Sequence, residues 1–119
     1  MGTDIITPAV ISRQLQELGR ELDFLVKQLK EADVDAINKR SAADTAESMA
    51  FLEAEGSVES RKHTASLAAS TKEHEAQIAE ALVRHLRRSL SAVETRIEIG
   101  RSLGAAVRAE MAALPYQEG

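Results

Sequence analysis

The side chains in this 119-residue chain that could do chemistry are three histidines, a few central carboxylates, a run of arginines and a spaced pair of glycines. His63, His74 and His85 recur every 11 residues. On a helix that interval returns to nearly the same face, but a rise of 1.5 Å per residue sets the rings roughly 16 Å apart, too far to share a metal ion. His74-Glu75 begins like a zinc-binding His-Glu-x-x-His helix, yet Ile78 stands where the second His is needed. All three read as surface histidines. Glu53, Glu55 and Glu59 gather near the middle of the chain. Glu55 and Glu59 are spaced to accept a cation, but charge on a solvated turn explains them more simply, and Glu59 lies where a negative side chain favours the start of a helix. No nucleophile–base set or carboxylate pair stands out. There is no Cys, which excludes disulfides, thiolate catalysis and Cys-based zinc sites. The expectation is a non-enzyme with no catalytic, cofactor-binding or metal-binding residue.

Arg84, His85, Arg87 and Arg88 form the one basic cluster, followed by Arg96, Arg101 and Arg108. Such a stripe suits nucleic-acid phosphates, with Arg84, Arg87, Arg88, Arg96 and Arg101 as the candidate nucleic-acid or partner contacts. The simpler reading is a solvated face paired with Glu80, Glu94 and Glu98. No aromatic residues are interleaved for base stacking, which argues against a single-strand binder. Gly100 and Gly104, four residues apart, each cost about 1 kcal/mol against Ala in a helix interior. That cost is reasonable where another helix must approach closely, and Gly104 would face Ile11 if the chain folds back on itself. Ile99-Gly100-Arg101-Ser102-Leu103-Gly104 is no phosphate loop, since it lacks the Gly-Lys-Ser/Thr ending and a preceding strand.

The elements that carry these residues are helices. Thr7-Pro8 is a cap followed by Pro at the first helical position. Apolar positions then step by four and three through Ile11, Leu15, Leu18, Leu22, Leu25, Leu29, Ala32, Ala36, Lys39, Ala43, Ala46 and Ala50. A second run steps likewise from Val58 through Lys62, Ala65, Ala69, Lys72, Ala76, Ala79, Val83, Leu86, Leu90, Val93, Ile97, Gly100, Gly104 and Val107 to Leu114. Both are heptad seams. Gly56 and Ser57 lie between them, a helix stop followed by a helix N-cap, and form the structural turn. Away from that turn both seams pass from Ala to larger residues, so an antiparallel pairing matches Ala with Ala and Leu with Leu, Val or Ile. Lys39, Lys62 and Lys72 lay their stems over facing Ala and their ammonium groups in water, or else fix register.

The expected fold is all-α: a long antiparallel helical hairpin, a two-helix coiled coil with its turn at Gly56. Residues 1–6 are expected to be disordered, 7–114 to form a single domain with helix 1 over about 8–55 and helix 2 over about 58–114, and 115–119 to be a tail. Phe24, Phe51, Leu52, Leu67, Ile78, Leu82, Ile99 and Leu103 lie off the seams. Their exposure predicts self-association, as a dimer making a four-helix bundle, or a protein partner on the same surface.

Composition agrees. Apolar residues make up 44% and charged residues 29%, but aromatics only 3%, a mix that suits long helices. Net charge is −4. Residues 1–60 hold 12 acidic against 6 basic side chains and residues 61–119 hold 7 against 9, so only the second half offers a basic surface. No signal peptide is visible and no run approaches the ~18 apolar residues of a membrane span. A cytoplasmic protein that does not engage membranes is expected.

Two stretches resemble small helical coiled-coil proteins of actinobacterial bacteriophages and prophages. One is Phe51-Leu52-Glu53-Ala54-Glu55-Gly56-Ser57-Val58-Glu59-Ser60-Arg61-Lys62. The other runs Arg96-Ile97-Glu98-Ile99-Gly100-Arg101-Ser102-Leu103-Gly104 and on to Met111. The resemblance implies a phage gene product in a bacterial cytoplasm, acting around phage DNA or virion assembly. It transfers no functional residue.

Overall fold

The structure is a computed structural model that describes residues 5–114. Among these there are three helices and no strand: α1 (Pro8–Glu53), α2 (Val58–Ala68) and α3 (Ser70–Ala113). The expected tail over 115–119, and residues 1–4 of the expected disordered start, lie outside the described residues. The first two helices start where cap chemistry allows. Thr7 Oγ1 accepts the Val10 N–H at 3.2 Å, and Pro8 follows where a missing N–H costs nothing. Ser57 is extended (φ −66°, ψ 161°) and its hydroxyl accepts the Ser60 N–H at 3.2 Å to open α2. Between α1 and α2, Gly56 takes φ 107°, a conformation that L side chains rarely adopt.

One element differs from the sequence reading. The second run is not one helix over 58–114; Ala69 (φ −93°, ψ 0°) divides it. The Ser70 hydroxyl donates to the Leu67 carbonyl at 2.8 Å. Side-chain back-bonding of this kind competes with the helical ladder. The interruption is local, because Ala69 N still reaches Ala65 O at 3.0 Å and Glu73 N reaches Ala69 O at 2.9 Å.

Packing gathers the chain into two compact units, residues 27–88 and residues 1–26 with 89–119. In the first, Ala32, Ala36, Ala79 and Val83 form a buried cluster with Leu29 and Leu86 packed against it, and Ala43, Ala65, Ala69 and Ala76 are buried as well. The interior is nearly all Ala, so little side-chain volume separates the packed backbones. In the second, Ile11 and Val93 are buried, Gly104 is buried beside Ile11, and Leu15, Leu18, Leu22, Leu90 and Ile97 are half-buried. Every buried apolar residue lies on one of the two heptad seams.

Candidate functional site

The most organised polar constellation sits in the 27–88 unit. Its centre is Arg40, which the sequence reading passed over in favour of its neighbour Lys39. Lys39 is exposed and pairs with Asp35 one turn back at 3.1 Å. Arg40 turns toward the seam instead, with its side chain 31% exposed. Its guanidinium meets Glu80 in a two-point fork, Nη2 to Oε1 at 2.8 Å and Nε to Oε2 at 3.1 Å. Nη1 donates to Glu73 Oε2 and lies 3.6 Å from Asp44 Oδ1. Gln77 also donates to Glu73, at 3.2 Å. A planar guanidinium suits such a fork better than an ammonium would.

These hydrogen bonds set the charge states. Those from Arg40 hold the Glu73 and Glu80 carboxyls below the usual carboxylate range, against an opposing desolvation. The Arg40 guanidinium is held more firmly protonated, first by its bonds to Glu80 and then by those to Glu73. A group locked in one charge state is a poor proton shuttle. What this arrangement can do is specify alignment. Asp33 and Arg40 are seven apart on α1, as are Glu73, Glu80 and Arg87 on α3, and Arg87 Nη2 reaches Asp33 Oδ1 at 3.4 Å. Slipping the pairing by one heptad one way would bring Arg40 to Arg87, and the other way Asp33 to Glu80. The first slip sets two arginines together, whereas the second sets Asp33 by Glu80 but leaves Arg40 opposite another acid, Glu73, so the charges oppose the first slip most clearly. The signal was present in the sequence as opposite charges at heptad spacing. It was obscured because strict four–three stepping places Lys39, one residue early, on the seam.

The turn has its own polar fastening. The Phe51 carbonyl belongs to the last turn of α1 and has no partner within the helix. Arg61 donates to it from Nε at 3.3 Å and Nη2 at 3.1 Å, and its guanidinium lies 4.4 Å from the Phe51 ring centroid. Glu53, Glu55 and Glu59 are exposed, and Glu59 lies 3.7 Å from Lys62. Lys62 and Lys72 are exposed, as are His63, His74 and His85. No group of three or more His, Cys, Asp or Glu among the described residues is placed to hold a metal ion.

The arginines fall in both units. Arg84, Arg87 and Arg88 belong to the 27–88 unit, and Arg96 and Arg101 to the other. All five are exposed, but Arg87 is engaged with Asp33. The glycines lie in the unit formed by 1–26 and 89–119. A Cβ on Gly100 would stand 2.8 Å from Leu15 Cδ2, and one on Gly104 would stand 3.4 Å from Ile11 Cγ2. Gly100 therefore makes room for Leu15, and Gly104 lets Ile11 close in. In the same unit Ile99 and Leu103 are exposed, with Leu15 and Gly100 beside them in one groove.

No protein-family model matches the chain, and no curated protein or solved structure matches it. No helix among the described residues is long and apolar enough to cross a membrane.

Proposed function

We propose that the protein is a non-enzymatic structural and protein-interaction module: one long antiparallel helical hairpin, folded at Gly56, that self-associates so that two copies make a four-helix bundle. The observation that carries this reading is the division of the apolar side chains. Buried ones keep to the seams, while large ones off the seams, including Phe24, Leu52, Leu67, Ile78 and Ile99, stay more than half exposed. A surface that leaves so many large apolar side chains in water is the kind a partner would cover. Within the 27–88 unit, Asp33 pairs with Arg87, Arg40 with Glu80 and Phe51 with Arg61; within the other, Leu15 meets Gly100 and Ile11 meets Gly104. Both sets of contacts support an antiparallel pairing. The resemblance to phage-encoded helical proteins adds a setting, a bacterial cytoplasm during phage growth. Light scattering at micromolar concentration tests the reading, with a mass of two chains expected and a mass of one chain counting against it.

A second reading is a nucleic-acid-binding accessory of phage replication or recombination. It is favoured by Arg84, Arg88, Arg96 and Arg101, which are exposed and take part in no ion pair among the described residues. A mobility-shift titration at low salt decides it. Phosphate binding through these arginines would give a shift that weakens steeply as salt rises, and no shift at low salt removes the reading.

A further inference from the structure

We infer that the groove formed by Leu15, Gly100, Ile99 and Leu103 is the face on which a second copy of this chain docks; this rests on the self-association proposed above and names its surface. Ile99 is 61% exposed and Leu103 39%, and the groove they edge is rimmed unequally in charge. On the α1 side stand Glu17 and Glu21, one turn apart. On the α3 side stands Arg96. All three are exposed, and none takes part in an ion pair among the described residues.

That asymmetry selects the occupant and its orientation. In an isologous dimer each copy presents the same patch to the other. A two-fold axis running along the groove lays each α1 rim over the partner's α3 rim, so that Glu17 and Glu21 meet Arg96 twice. A two-fold axis across the groove would set acid over acid. The groove is therefore complementary in charge to a copy of itself in one alignment, with equivalent ends of the two chains side by side. Ile99 and Leu103 close over the partner's Leu15 as the rims pair. Rim charges of this kind choose the partner and alignment, while the apolar floor supplies adhesion.

The test uses the full chain in two charge-reversed forms, Glu17→Arg with Glu21→Arg, and Arg96→Glu. Each alone sets like charges together at both rims and should weaken dimerisation by about tenfold or more in sedimentation equilibrium. An equimolar mixture should recover the wild-type dimer, because both rims of the mixed dimer are complementary again. Pairing within one chain cannot give this rescue, since mixing leaves each chain's own charges unchanged. Circular dichroism confirms that each variant is helical, and Leu103→Lys, which keeps all three rim charges, should also dissociate the dimer. If the wild type is dimeric but the variants dimerise equally well, or the mixture fails to recover, this face is wrong and self-association stands. If the wild type is monomeric, self-association itself is wrong and the groove proposal falls with it.

Discussion

Arg40 is one residue with three carboxylates around it, and its neighbourhood sets how stability responds to acid. Glu73 and Glu80 have folded-state values below their ordinary 4.5. Their contribution is complete above that value and is lost as pH falls through the depressed folded values. Asp44 and Arg84 flank the same cluster, so the fit should be judged against a variant rather than against wild type alone. Thermal melts of wild type and Arg40→Gln should differ at pH 7, with the variant less stable, and should converge at acid pH, once the pH has fallen below the depressed values of Glu73 and Glu80. Curves offset equally at every pH would show that Arg40 acts through packing alone. Arg61 is the second residue with an outsized role. Arg61→Ala removes the cation from the Phe51 ring and the donors from the Phe51 carbonyl, and should cost about 1 kcal/mol in denaturant unfolding.

At the scale of the element, the glycines separate cleanly by what surrounds them. Gly19 lies within α1, and a Cβ there would meet nothing within 4 Å. Gly19→Ala should stabilise by about 0.5–1 kcal/mol. Gly100→Ala has the same propensity gain but drives its Cβ against Leu15 Cδ2 at 2.8 Å, so its melting temperature should fall below that of Gly19→Ala. Gly56 is set apart by backbone rather than space. Its φ of 107° makes Gly56→Ala strained by about 1–2 kcal/mol, although the added methyl would have only ordinary contacts with Ser60 at 3.5 Å or more.

The same elements show how far the sequence could be read. Heptad stepping located the buried positions, Ile11, Ala43, Ala76 and Val93 among them, but it also placed Val58 and Leu114 on the seam, and both are exposed. Ser57 could be placed as a cap because a hydroxyl ahead of Glu59 and the apolar run has a specific local use. The break at Ala69 was not legible. It coincides with a Ser70 back-bond, but Thr64 and Thr95 also back-bond, without a break, so nothing in the sequence singles out Ala69. Arg40 was missed for a different reason. Strict stepping selects its neighbour Lys39, and only the positions of Glu73 and Glu80 across the seam favour Arg40.

For the whole molecule, the account joins one inward and one outward set of side chains. The inward set pairs α1 with α2 and α3 through Ala and Leu layers, and Arg40 and Arg87 penalise the slip that would bring them together. The outward set includes Ile99 and Leu103, which edge the groove proposed above as the docking face for a second copy. Sedimentation equilibrium of the wild-type chain over a range of concentrations tests the central claim most directly. The account predicts a reversible monomer–dimer equilibrium reaching two chains per particle; a mass of one chain sustained up to about 100 μM, where even a weak dimer of micromolar Kd would be largely formed, would contradict it.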